Sequence, residues 1–292
     1  MIEPALKDDA FLADVHAANQ KDGEFRLWWL GQSGFLLQWR GEHLLLDPYL
    51  SDSLAAKHAK TDKPHSRMTA RVVDPSRLDF IDVVSASHAH TDHLDPETLI
   101  PLLNANRRLA LVIPEAARDL AAARLSVPAA GLSGLSDGDS TCLGQFRLTA
   151  VPSAHEDIER DGKGNCRCLG YVVQFGPWTV YHSGDTILYE GMVERLRRFP
   201  IDVALLPING RSPERGVAGN LSAAEAAWLG HQIGARVVIP CHYEMFSFNT
   251  ARPEDFLEAA ARQQQACHVL RCAQKWDTGR LSRAPAGQQD PV

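Results

Sequence analysis

Apolar residues come in short runs broken by turn-forming residues, the spacing of buried strands rather than of long helices. Residues 25–30, 34–39 and 43–47 predict three strands. Their breaks, Gly31-Gln-Ser-Gly34 and Arg40-Gly-Glu42, carry the turn residues that a meander needs. The first twenty residues read as a short amphipathic helix. The polar stretch 51–68, with Lys57, Lys60, Lys63 and Pro64, reads as a loop. Beyond it, 80–86 predicts a strand, 96–103 a helix, 109–113 a strand and 115–125 an alanine-rich helix. A second round has strands at 146–151, 170–175, 178–182 and 202–206, then a helix over 222–233. Asn220 or Ser222 caps that helix, and Glu225 stands at capping-box distance from Ser222. Residues 236–239 form a strand leading into Pro240-Cys-His242. From Pro253 a terminal helix, a final strand and a frayed tail from about residue 285 complete the chain. Two rounds of strands plus helices predict an α/β (α+β) chain, with two sheets face to face and helices outside. The expected organisation is one domain over residues 1–292, its core at about 25–250.

Composition narrows the partner classes. The net charge of -6 speaks against nucleic acid, whose phosphates call for a basic face. It is compatible with a small anionic substrate held by a few local arginines, and it leaves homo-oligomerisation open. No apolar run approaches the roughly 18 residues of a membrane span, and residues 1–19 lack a signal-type apolar core. The expectation is a cytoplasmic protein without a membrane partner. The six cysteines, at 142, 166, 168, 241, 267 and 272, have no paired zinc-type spacing and read as free thiols.

The candidate chemistry lies at strand ends. Ser87-His88-Ala89-His90-Thr91-Asp92-His93-Leu94-Asp95 sets four potential metal ligands within six residues, directly after a strand. Neutral imidazole and ionised carboxylate suit zinc, manganese or iron. A loop leaving a strand can turn His88 and His90 toward one ion and Asp92 and His93 toward a neighbour, whereas residues two apart on a helix do not share a face. His155, Asp185 and His242 each follow another predicted strand, so all seven can converge on one edge of a sandwich.

The His88-x-His90-x-Asp92-His93 signature, with His155, Asp185 and His242 after it in order, resembles the metallo-β-lactamase superfamily of hydrolases over about residues 25–250. The resemblance implies a four-layer αββα sandwich and a two-metal centre. His88, His90 and His155 would hold one ion, Asp92, His93 and His242 the other, and Asp185 would bridge. The phrases at 28–34, 181–186, 201–210, 219–225 and 238–246 are similar to the L-ascorbate-6-phosphate lactonase subfamily. Segments 51–68 and 158–168, read as substrate loops, give no match that can be placed there. The subfamily favours manganese, with zinc as the alternative. The resemblance implies opening of a lactone of a small phosphorylated sugar acid by metal-activated water, with Asp92 taking its proton. The alternatives are a phosphodiesterase or nuclease of the same fold and a non-catalytic metal-binding protein. The di-iron redox relatives carry glutamate where this chain has His90.

Other candidates are weaker. Asn209, Arg211, Arg215 and Asn220 lie in a Gly-rich loop where arginine forks would match phosphate oxygens. Tyr243 and Glu244 would line the cleft beside His242, and His182 would either order Asp185 or sit satisfied in the core. Trp28 and Trp29 read as core, and His58 and His65 as solvated. His16, His43, His231 and His268 carry no pattern.

Overall fold

The computed structural model describes residues 1–18 and 23–281; the expected frayed tail lies outside them. After α1 (Asp8–Ala18), the chain forms β1 (Arg26–Gly31), β2 (Gly34–Trp39) and β3 (Glu42–Leu46) as an antiparallel meander through the two short turns. β1 and β2 are buried along their whole length, which is why their sequences are continuous apolar runs rather than alternating ones. Residues 51–68, expected as a loop, contain one short helix, α2 (Ser53–His58). β4 (Val83–Ser85) is followed by α3 (Pro96–Ala105), whose start is fixed by the Asp95 cap and by proline in its first turn. β5 (Ala110–Pro114) leads through one 3-10 turn into α4 (Arg118–Leu125), so the expected alanine-rich helix is shorter than its sequence implied.

β6 (Leu132–Leu135) and β7 (Ser140–Leu143) were not foreseen. β7 alternates exposed and half-buried residues at a sheet edge, where no apolar run is needed. β8 (Phe146–Pro152), β9 (Leu169–Phe175) and β10 (Trp178–His182) continue as antiparallel neighbours. α5 (Met192–Leu196), β11 (Val203–Pro207), α6 (Ala223–Gln232), β12 (Val237–Cys241), α7 (Pro253–Arg262) and β13 (Lys275–Asp277) follow. Ser222, not Asn220, caps α6, in a reciprocal capping box with Glu225.

Among the described residues one sheet runs β13-β1-β2-β3-β4-β5-β6 and the other β12-β11-β10-β9-β8-β7. β3 to β6 are parallel, as are β10 to β12. Parallel pairs need crossover connections, and α3 and α6 supply two of them, leaving helices outside and two sheets inside, the αββα sandwich. The Phe175 ring meets Phe25 and Phe146 edge-on and Trp39 at a tilt, tying the two sheets together. No described helix is long and apolar enough to cross a membrane, and none of the six cysteines is bridged.

Candidate metal centre

The topology delivers chemistry to one rim. β4 runs out into Ser87-His88, β8 into His155, β10 into Asp185 and β12 into His242, while the β1–β2 turn brings Gln32 and Ser33 to the same edge. Gly184 allows the closest approach. Its φ is +59°, and a Cβ there would lie 2.5 Å from Ser87 Cβ, so only glycine lets the Asp185 turn abut the histidine loop. Three non-glycine residues around the rim, Gln32, Asp47 and His242, also hold left-handed backbone (φ +51°, +42° and +64°). Such strain persists where surrounding contacts over-determine it, as the His242 amide donating to the Gln32 carbonyl at 2.9 Å does here.

The seven ligand candidates meet. His88 Nε2 lies 2.9 Å from His90 Nδ1, and the His155 ring packs 5.2 Å and 5.0 Å from theirs. One donor atom each of His88, His90 and His155 falls within 4.8 Å of the others, as do those of His88, His93 and Asp185. Asp185 Oδ2 is 3.4 Å from His93 Nε2, 3.5 Å from His155 Nε2 and 3.4 Å from His242 Nε2. This one carboxylate therefore faces both groups of imidazoles. Asp92 Oδ2 lies 3.6 Å from His93 Nε2.

The surrounding residues orient the donors. His155 Nδ1 bonds the Gly219 carbonyl at 2.9 Å, which turns Nε2 into the site. Asp47, at the end of β3, accepts from His93 Nδ1 (2.6 Å), the Ser87 amide (2.7 Å) and the Ser87 hydroxyl. The Gln32 side-chain amide donates to Asp92 at 2.8 Å and lies 3.1 Å from His242 Nε2, and Ser33 donates to Asp185 at 3.2 Å. His182 is buried and bonds the Ser33 carbonyl, so it acts on Asp185 only through Ser33. Asp47, Gln32 and Ser33 were missed by sequence reasoning. The only sequence signal was their position at strand ends and in the Gly31–Gly34 turn.

The charges agree with a cation site. Burial disfavours ionised Asp185, yet the imidazoles of His93 and His242 hold its carboxyl well below the usual range. Burial likewise opposes a charged His93, but Asp185, Asp92 and Asp47 together pull its pKa well above the usual value. His88, with burial and His93 against it, is held neutral, the form that donates a lone pair. Three carboxylates crowding one imidazole create a field that a divalent cation neutralises by displacing the proton. The donor set, imidazole nitrogen and carboxylate oxygen, fits zinc-like or manganese-like ions.

The centre opens into a cleft of about 340 Å³ whose lining includes Gln32, His90, Asp92, His155, Asp185 and His242. His58 and His65, expected to be solvated, also line it. Three other expectations are corrected. Tyr243 does not face the cleft; it is buried with its hydroxyl on the Leu270 carbonyl and its ring against Trp29. Asn209 and Asn220 are buried behind the wall, where Asn220 donates to Asn209 and Asn209 to Asn249. It is Asn249 that reaches the cleft. Arg215 is turned away, bonding the Asn209 carbonyl and Asn249. Arg211 lines an adjoining hollow of about 390 Å³ that shares His155 and Val217 with the cleft, and pairs with Glu225 at 2.6 Å.

A β-lactamase superfamily domain model matches residues 42–243, and the chain belongs to that superfamily. A UPF0173 metal-dependent hydrolase of Opitutus terrae is 30% identical over 84% of this chain and 96% of its own length. A probable L-ascorbate-6-phosphate lactonase of Escherichia coli is 26% identical over 80% of this chain and 73% of its own. A solved metallo hydrolase from Ignicoccus hospitalis shares the fold at TM-score 0.62 and 20% identity, covering 87% of this chain and 98% of that one. The protein is thus a metal-dependent hydrolase of the metallo-β-lactamase fold.

Asp47→Asn tests the orientation of His93. The amide keeps the size but removes the charge facing Nδ1, so metal affinity should fall about 10- to 100-fold. Metal titration by competition with a chromogenic chelator measures it; unchanged affinity would show that Asp47 does not tune the site.

Proposed function

We infer that the chain opens a lactone of a small phosphorylated sugar acid, using two divalent ions at the His88–His242 centre, manganese before zinc. The observation that carries this reading is the pairing of the donor set with the Arg211 hollow, which meet at His155. The 26% identical E. coli relative supports the lactone assignment. Bound ions supply Lewis-acid polarisation of the carbonyl and a water acidified toward neutral pH.

The residues do the rest. His88, His90 and His155 would hold one ion and Asp92, His93 and His242 the other, with Asp185 between the two groups. Asp92, fixed by the Gln32 amide, takes the proton of the attacking water at its carboxylate and returns it to the ring oxygen as that bond breaks. Ring opening yields a hydroxy acid, with no proton left over beyond the ionisation of the new carboxyl. The phosphate lies in the adjoining hollow, where the guanidinium of Arg211 has donors beyond the one given to Glu225.

Arg211→Ala should raise KM for a phosphorylated lactone about 10- to 100-fold, the scale of a lost charged hydrogen bond, and shift KM for the unphosphorylated analogue less than about twofold. Equal effects on both would remove the phosphate role. Turnover of a bis-aryl phosphodiester far above that of any lactone would replace the reading with phosphodiester cleavage.

A further inference from the structure

Part of the cleft lining is not used by the hydrolytic chemistry. It comprises Leu54, Lys57, Phe246 and Phe248 with the imidazoles of His58 and His65. Leu54 and Phe246 belong to a small apolar cluster, with Tyr49 and Met245, separate from the main core, and Phe248 packs on its margin. His58 and His65 stack with centroids 4.1 Å apart and planes 24° from parallel. Phe248 meets the His65 ring edge-on at 4.6 Å, and Phe246 does so at 5.3 Å.

The stretch 51–68 is fastened at two points. Arg67, its side chain 7% exposed, lies 5.5 Å over the Tyr49 ring and donates to the Ser51 and Thr69 carbonyls at 2.7 Å. Lys63 donates to the Arg215 carbonyl at 2.6 Å. The imidazoles are thus held in place by contacts on neighbouring turns, and burial followed by the proximity of His58 holds His65 below its usual pKa. These stacked imidazoles, bordered by phenyl rings and with Lys57 beside them, line the same cleft of about 340 Å³ as the donor set, room for a single small ring system.

We propose that the His65–Phe248 wall is a subsite for a flat ring of the substrate, which lies face-on against it while the scissile carbonyl points to the donor set. The proposal rests on the lactone reading and narrows it to planar, unsaturated lactone rings over puckered saturated ones. His65 and Phe248 then set specificity by contact with the ring, without a part in bond breaking.

The test uses the metal-loaded full chain with two six-membered lactones as probes, dihydrocoumarin (flat, ring-fused) and δ-valerolactone (puckered). His65→Ala and Phe248→Ala should each raise KM for dihydrocoumarin about tenfold, the scale of a lost apolar contact in a pocket. Values of kcat and metal content should stay near wild type, and KM for δ-valerolactone should shift less than about twofold. His65→Phe, which restores a flat ring without hydrogen-bonding atoms, should recover the dihydrocoumarin KM. Unaltered KM for dihydrocoumarin, or equal rises for both probes, would overturn the subsite. If wild type opens neither lactone, the reading itself fails and binding decides the wall separately. Calorimetric affinity for 2-naphthoate should then drop about tenfold in His65→Ala and return in His65→Phe; unchanged affinity would overturn the subsite as well.

Discussion

Asp185→Ala is expected to strip metal from the protein and lower turnover by no less than roughly 10³-fold, with His88→Ala close behind. The argument is geometric. Asp185 Oδ2 stands 3.4–3.5 Å from three imidazole nitrogens contributed by the histidine loop, the β8 end and the β12 end. The side chain is 4% exposed, so water has little room to replace the lost oxygen. His88 is buried in the same way and joins both candidate donor groups. Metal quantification on purified variants, with turnover measured after reconstitution, reads the outcome. A variant that retains the wild-type metal complement and rate would refute the assignment of that residue. A second readout separates metal loss from misfolding: chelation should lower the melting temperature of wild type, since ions that bind only the folded state stabilise it. It should leave that of Asp185→Ala unmoved, because nothing remains to be removed.

Much of this centre was legible in the chain because each ligand candidate directly follows an apolar run. A strand buried on both faces leaves its last residue at the sheet rim, so His155, Asp185 and His242 share an edge once the strands are placed. Asp47 and Gln32 were not legible. Asp47 reaches His93 only because β3 and β4 are parallel neighbours in the register Leu46 to Ser85, which sets the two strand ends level. Tyr243 was misplaced for a local reason. The left-handed backbone at His242 turns the chain sharply, so the next side chain goes into the core against Trp29 instead of following its neighbour to the cleft. Asn209 and Asn220 lie on two backbone segments bridged to one another (Asn209 to Ser222), and their amides pair inward. His58 and His65 look solvated in a lysine-rich stretch. Only the fold carries Phe246 and Phe248, some 180 residues later, to meet them.

A histidine without a sequence pattern carries the second large effect. His43, on β3, is 2% exposed, with its ring edge-on to Phe80 at 4.8 Å; His16 of α1 contacts the same phenyl at 5.0 Å. Burial, then repulsion from His16, lowers the His43 pKa from 6.5 to about 4, against a smaller opposing hydrogen bond with the Phe80 backbone. The unfolded chain binds a proton there near 6.5, while the folded chain stays neutral until about 4. Stability from this group is therefore whole above pH 6.5 and drains away as pH falls toward 4, reaching a loss of about 3 kcal/mol at the lower end. His43→Phe keeps the aromatic contact with Phe80 and cannot titrate. Denaturant midpoints at pH 7 and pH 4 should show the variant losing about 3 kcal/mol less than wild type over that interval. Because every other titrating group is common to both proteins, including the histidines of the metal centre, the difference isolates His43. Parallel acid losses in the two proteins would mean that His43 takes up its proton at the same pH folded and unfolded, and the burial argument would fall.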